Sequence, residues 1–228
     1  MSPAAFDAVL FDWGETLFYN RDGAELLIEA GLPPAEAARL WSGIWTASKS
    51  PAALARHRDV SAANHRAAWA SLLEPAEAAI PGVAEMLYER VVAAAAWLPY
   101  PDTVAVLRSI HEAGVPVGIV SNVPSPLGPV LERHGLGGLV DAVVESYRHG
   151  VEKPDPALFL LACRELGTAP SRTLMVGDSS LTDAGAVQAG LVTLLLPAVP
   201  PGAQRGLAAA VRLLGHTDTP GGAEQRLR

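Results

Sequence analysis

The stretch Val9-Leu10-Phe11-Asp12-Trp13-Gly14-Glu15-Thr16-Leu17 decides the fold. An apolar run ends abruptly in an aspartate, with a glycine and a threonine close behind. A strand buried on both faces of a parallel sheet reads as a continuous apolar run rather than an alternation. Open α/β sheets bind ligands beyond the carboxyl ends of such strands. Asp12 therefore stands either where chemistry is expected or as a plain turn residue, since aspartate is also common in turns.

Downstream of residue 98 the same texture recurs. Strands are expected at 6–12, Val115–Val120, Val140–Glu145, Thr173–Val176 and Val192–Leu196. Helices are expected between them at Asp102–Ala113, Leu127–His134, Pro156–Leu166 and Thr182–Ala189, closed by Gly114, Gly135, Gly167 and Gly190. Strands alternating with helices of this length mean parallel crossover units, which predicts an α/β fold with a three-layer, doubly wound parallel sheet. Residues 21–97 differ, being rich in alanine and arginine and poor in β-branched residues. They read as helices at Ala24–Ala30, Pro34–Ser48, Pro51–Arg58, Ser61–Leu73, Pro75–Ile80 and Pro81–Trp97. Pro34 and Pro75 suit a first helical turn, and Ser61 suits an N-cap. The expected organisation is a core at 1–20 and 98–200 and a helical cap at 21–97. A C-terminal helix (Gln204–Leu214) and tail fill 201–228. The cap, inserted after the first strand, lies over the carboxyl edge of the sheet as a lid. The Gly/Pro/Thr-rich tail beyond Gly215 is expected to be mobile.

Composition narrows the function. With 24 acidic and 17 basic residues the net charge is −7, which argues against a general nucleic-acid binder with a basic face. The single cysteine, Cys163, excludes an intrachain disulfide framework and reads as a small apolar helix residue. No run approaches the ~18 uninterrupted apolar residues of a membrane span, and no charged leader with an apolar segment precedes the first strand. A cytoplasmic protein with no membrane or nucleic-acid partner is expected. Oligomeric state is not readable.

Polar residues collect at the strand ends: Asp12 after the first, Ser121 after the second, Lys153 on the loop after the third, Asp178 after the fourth, and Asp183 five residues on. On one edge of a parallel sheet these ends converge. Carboxylates crowded together repel unless a cation is bound, and Mg²⁺ takes oxygen ligands from one or two carboxylates, water and a substrate phosphate. Asp12, Asp178 and Asp183 thus read as a magnesium site. Lys153, one of two lysines beside 15 arginines, supplies fixed positive charge.

At this point the chain resembles the haloacid dehalogenase superfamily. Phe11-Asp12-Trp13-Gly14-Glu15-Thr16-Leu17 resembles its first motif and Ile119-Val120-Ser121-Asn122 its second. Glu152-Lys153-Pro154-Asp155-Pro156 with Phe159 resembles the third, and Val176-Gly177-Asp178 through Asp183 the fourth. The resemblance covers about 5–20 and 98–197; the helical insert resembles the family's mobile cap in position and type. It implies that Asp12 is a nucleophile forming an aspartyl-phosphate. Ser121 then holds a phosphoryl oxygen with help from Asn122, and Lys153 stabilises Asp12 and the transferring group. Asp178 binds Mg²⁺, Asp183 supports it directly or through water, and the backbone carbonyl of Gly14 is a further metal ligand. Trp13 lines the cap–core boundary on the substrate side. The implied substrate is a small phosphorylated molecule.

The pattern breaks at Gly14. Phosphatases of this superfamily carry there a second aspartate, which protonates the leaving alcohol and then activates water. Such help is worth about 10²–10⁴-fold. Three readings remain open. In the first, a phosphohydrolase draws its acid from elsewhere: Glu15 is adjacent but is expected to point differently, and His57, His65 and Glu25 in the cap are the candidates. In the second, the substrate needs no such acid, as in dehalogenases or in phosphonoacetaldehyde hydrolase. The latter keeps magnesium and needs a cap lysine, here Lys49. In the third, the site has lost catalysis and binds a phosphorylated ligand or partner. Trp41, Trp45, Trp69 and Trp97 read as packing residues, and Arg56, Arg58 and Arg66 as exposed helix charges.

Overall fold

The computed structural model describes residues 5–20, 22–92 and 96–215. Among these, the strands are β1 (Ala8–Phe11), β2 (Phe18–Asn20), β3 (Trp97–Pro99), β4 (Val117–Ser121), β5 (Ala142–Glu145), β6 (Thr173–Gly177) and β7 (Val192–Leu195). The main sheet runs β5-β4-β1-β6-β7 with every pairing parallel. The run that opened the sequence is its centre. Phe11 lies beside Ile119 of β4 and Val176 of β6, and all four residues of β1 are buried. The chain builds outward from β1 to β5 and then returns to lay β6 on the other side. That reversal opens a crevice at the carboxyl end of β1, where open α/β sheets bind ligands.

The insert holds α1 (Gly23–Glu29), α2 (Pro34–Ser48), α3 (Pro51–Leu54), α4 (Ala62–Ala79) and α5 (Val83–Val92). Asp22 caps α1 by accepting from Ala24 N–H at 2.9 Å, and Ser61 caps α4 by accepting from Asn64 N–H at 3.1 Å. The amphipathic faces bury an apolar cluster of their own, including Leu27, Trp41, Ile44, Trp69, Leu73 and Leu87. Gly23 lets α1 and α2 approach, since a Cβ there would strike the Trp41 ring.

The flanking helices are α6 (Thr103–Glu112), α7 (Gly128–Arg133), α8 (Ser146–His149), α9 (Pro156–Glu165) and α10 (Ala208–Leu213). Alternate residues of each strand point to opposite faces. Val9, Phe11, Ile119 and Val176 pack under α6, α7 and α10, while Leu10, Val120 and Met175 pack under α9. Three layers follow from that alternation. Cys163 is buried in the second layer's core.

Several elements differ from the sequence expectation. Residues 62–79 form one helix through Pro75 rather than two. Proline removes the bond to the carbonyl four residues back, and Pro75 and Ser71 both lie on the exposed side of the helix, where an unpaired carbonyl costs least. Residues 51–58 divide into α3 and a 3₁₀ turn at Arg58–Val60, and Asp183–Ala189 is 3₁₀ rather than α. Trp97 leaves the helical block to pair in β3, antiparallel to β2. Three-residue strands carry too little periodicity to be read. The tail expected to be mobile, 216–228, lies outside the described residues. Among the described residues no helix is long and apolar enough to cross a membrane.

Candidate active site

Sheet register fixes the first residue of the site. Asp12 N–H donates to the Val176 carbonyl at 2.9 Å, which aims its carboxylate off the carboxyl edge. The Lys153 ammonium donates to Asp12 Oδ1 at 2.5 Å and to Asp183 Oδ1 at 2.6 Å. Lys153 is itself held by Asn122, whose Oδ1 accepts from Lys153 N–H at 2.8 Å and whose amide donates to the Lys153 carbonyl at 3.0 Å. Asn122 thus uses its side-chain amide to position Lys153. Asp183 is fully buried, and its Oδ2 accepts from the N–H groups of Asp178 and Ser179 at 3.0 Å each. Gly177 makes this possible, because a Cβ there would collide with the Asp183 carboxylate.

The electrostatics follow from burial and crowding. Burial, with the charges of Asp183 and Asp178, raises the pKa of Asp12 to about 8 against the pull of Lys153. Asp178 is raised by burial and by Asp183, with Lys49 and Lys153 opposing. Burial disfavours the Lys153 ammonium, but Asp12 and Asp183 outweigh it and lift its pKa above the ordinary lysine value.

A cavity of about 460 Å³ opens over this edge. Asp12, Trp13, Gly14, Ser121, Asn122, Lys153 and Asp178 line its core side, and Trp45, Lys49, Arg58, Asp59, His65 and Trp69 its insert side. Seven of the residues singled out in the sequence therefore share one wall, and Asp183 lies beneath it, bound to Lys153. Trp13 is fully buried, its ring stacked on Phe18 at 3.9 Å between centroids. The ring of Trp97 stands 3.5 Å from where a Gly14 Cβ would lie. A side chain fits at that position, but it meets an apolar wall.

The proposed replacements for the missing acid fare differently. Glu25 is exposed on α1. His57 is exposed and pairs with Glu152 at 3.1 Å. His65 is buried against the Tyr88 hydroxyl at 3.1 Å, and burial, then Arg58, lowers its pKa to about 3. Glu15 lies on the loop that follows Asp12, at φ +60°, and pairs with Lys49 at 3.9 Å. Lys49 lies over the Trp45 ring at 5.0 Å. Arg58, expected to be exposed, is folded inward: its side chain is 15% exposed and donates to Asp59 at 3.3 Å and to the Ser48 carbonyl. Asp59, buried on the insert side, was not singled out by the sequence, since nothing in His57-Arg58-Asp59-Val60 distinguishes it from a solvated turn.

The donor set fits a hard cation. One oxygen from each of Asp12, Asp178 and Asp183 lies within 4.8 Å of the others, all the side-chain donors are carboxylates, and the crowding that raises Asp12 is what a divalent cation relieves. Asp183 accepts from Lys153 and from two backbone N–H groups, whereas Asp12 accepts from Lys153 through Oδ1 and Asp178 from the Thr16 hydroxyl at 3.4 Å.

A family model described as haloacid dehalogenase-like hydrolase matches residues 6–190. The chain is similar to a glyceraldehyde 3-phosphate phosphatase of Methanopyrus kandleri, 39% identical over 98 residues that make up 42% of each chain. It is also similar to a pyrimidine 5′-nucleotidase of Escherichia coli, 40% identical over 103 residues, 44% of this chain and 45% of that one. The matches thus span less than half the length of these curated relatives. Its fold is that of the L-2-haloacid dehalogenase of Xanthobacter autotrophicus, with a TM-score of 0.67 at 22% identity, covering 94% of this chain and 85% of that one.

Proposed function

Starting from the fact that the chain belongs to the haloacid dehalogenase-like hydrolase family, we propose that it is a magnesium-dependent phosphohydrolase acting on a small phosphorylated metabolite. The observation that carries this reading is the Asp12 carboxylate, held at a strand end by the buried Lys153 ammonium and facing the cavity beside Asp178. The relatives described as phosphatases of a sugar phosphate and a nucleotide support the substrate class.

Asp12 attacks phosphorus with the oxygen not held by Lys153 and forms an aspartyl-phosphate. The Ser121 hydroxyl donates to a phosphoryl oxygen from the end of β4, and Asn122 lines the wall next to it while positioning Lys153. Lys153 neutralises charge on Asp12 and on the transferring group. Asp183 holds Lys153 in place and ties down the backbone at 178–179. Trp13 closes the apolar wall and keeps water from the nucleophile. Mg²⁺, held by Asp12, Asp178 and the Gly14 carbonyl, would supply the positive charge that lets two anions meet.

Release of 4-nitrophenol from its phosphate ester, with and without Mg²⁺ and with Asp12→Asn as control, tests the reading. Metal-dependent turnover that Asp12→Asn abolishes is expected. Chloride release from chloroacids without phosphate turnover would replace the reading by dehalogenation. No turnover of either class, with a phosphorylated ligand still bound, would replace it by a binding role.

A further inference from the structure

We propose that Asp59, carried by the insert, is the general acid and base of this reaction; the inference rests on the phosphohydrolase reading above. Asp59 lines the same cavity as Asp12, Ser121 and Lys153 and is carried by the insert rather than by a strand end of the core. In an in-line displacement the leaving oxygen departs on the side away from the nucleophile. Asp12 belongs to the core wall, and the remaining polar lining of the cavity is supplied largely by the insert. Position 14 supplies no acid, having no side chain and a Cβ direction that meets the Trp97 ring; of the other core carboxyls on the cavity, Asp178 is grouped with Asp12 and Asp183, and Glu15 pairs with Lys49 at 3.9 Å.

The main chain of Asp59 is fastened to the two loops that carry the rest of the machinery. Its N–H donates to the Glu152 carboxylate, one residue before Lys153. Its carbonyl accepts from the Ser146 hydroxyl at 2.6 Å, and Ser146 in turn accepts from Val123 N–H at 3.0 Å, two residues after Ser121. The carboxylate is thereby set in a fixed relation to Lys153 and Ser121. It is 8% exposed and is bounded by Arg58 at 3.3 Å and by His65 Nε2 at 3.7 Å. The ionisable groups around it are Arg58, His65 and Tyr88 from the insert and Glu152 and Lys153 from the core. Burial is the largest influence. It raises the pKa of Asp59 to about 7, with Glu152 adding to the rise and Arg58 and Lys153 opposing it. A carboxyl poised there both gives and takes a proton near neutral pH.

The steps balance. In the first, the bond from Asp12 to phosphorus forms, the ester P–O bond breaks, and the Asp59 proton passes to the leaving oxygen. In the second, a water oxygen attacks the same phosphorus, its proton returns to Asp59, and the bond to Asp12 breaks. The products are the alcohol and inorganic phosphate, and both carboxyl groups are restored.

The test compares Asp59→Asn with wild type under single-turnover conditions with Mg²⁺, on glycerol 3-phosphate and on 4-nitrophenyl phosphate. The alkyl alkoxide needs a proton to leave and the nitrophenolate does not. Asp59→Asn is expected to lower the alkyl rate by about 10²–10⁴-fold and the aryl rate by at least about tenfold less. The wild-type ratio of alkyl to aryl rates is expected to fall above about pH 7, a limb that Asp59→Glu retains and Asp59→Asn loses. Equal loss on both substrates in a folded variant, or no loss on either, overturns the proposal. If Asp59→Asn does not fold, a wild-type alkyl-to-aryl ratio that stays flat across that pH range overturns it. Wild type that turns over neither ester in an Asp12-dependent way refutes the phosphohydrolase reading and takes this one with it. Asp12-dependent turnover of both esters with no selective effect at Asp59 refutes this one alone.

Discussion

Asp12 and Asp59 are both buried carboxyl groups facing one cavity, and the pKa of each is raised, to about 8 and about 7. The causes behind the two rises differ. At Asp12, burial is compounded by two further carboxylates, Asp183 and Asp178, which Lys153 alone does not balance. A bound divalent cation removes that excess and returns Asp12 to the ionised state a nucleophile needs. At Asp59, burial acts with a single neighbouring carboxylate, Glu152, and its nearest cation, Arg58, is partly open to solvent. The core cluster is short of positive charge and is built to acquire it. The insert cluster is close to balance and is built to keep a proton. The phosphohydrolase proposed above, which brings an anion to an anion and also protonates a leaving group, needs both arrangements, and the two clusters lie in different parts of the chain.

The comparison is broken most directly at Asp12. Asp12→Asn is expected to lower phosphate release by at least about 10⁴-fold, because the covalent step is lost whatever Asp59 does. Residual turnover close to wild type, read by a phosphate assay, would move the nucleophile elsewhere. Next in size is the metal. Chelation should lower turnover by about 10²-fold or more, Mg²⁺ should restore it, and Asp178→Asn should raise the Mg²⁺ concentration needed for half the activity. Turnover indifferent to chelator would remove the charge deficit as a design feature of the core cluster.

Gly14→Asp sharpens the contrast by giving the core wall an acid of its own. The Cβ fits against Trp97 at 3.5 Å, and the substitution is expected to raise alkyl phosphate turnover by about tenfold, more so in the Asp59→Asn background. An unchanged rate in a folded variant would show that acid supply does not limit the reaction.

The smallest effect is on stability. The raised pKa of Asp59 makes its contribution full below about pH 3.8 and lost as pH climbs through about 7. The lowered pKa of His65 does the opposite, with its contribution full above pH 6.5 and lost as pH falls toward about 3. The two slopes offset one another between these limits. Asp59→Asn should therefore expose the His65 slope, making unfolding free energy rise more steeply with pH, by about 1 kcal/mol per pH unit. Urea unfolding of wild type and variant across that range checks this; parallel curves would mean that Asp59 ionises as freely in the folded protein as in the unfolded chain.

What could be read from the residues, and what could not, divides along the same line. The strand β1 was legible because four consecutive apolar residues must be covered on both faces, and the strand-end positions of Asp12, Ser121 and Asp178 follow from where each run stops. Lys153 was legible as one of two lysines in an arginine-rich chain. The β2–β3 ribbon was not, because three residues carry no usable period, nor was the passage of α4 through Pro75, which depends on exposure. Arg58 looked like a surface charge because its inward turn is decided by Ser48 and Asp59, not by its neighbours in a helical pattern.

By itself the sequence determined the parallel α/β core and the meeting of several polar strand ends on one edge, because both depend on local runs of residues and on the way parallel strands must stack. Only the tertiary structure decided which residues of the insert line the cavity with Asp12. Asp59 reaches the cavity through bonds to Ser146 and Glu152, 87 and 93 residues away in the chain, and contacts that distant leave no periodic trace in either segment. The burial that raises the pKa of Asp59 depends on the packing of residues from both the insert and the core around it.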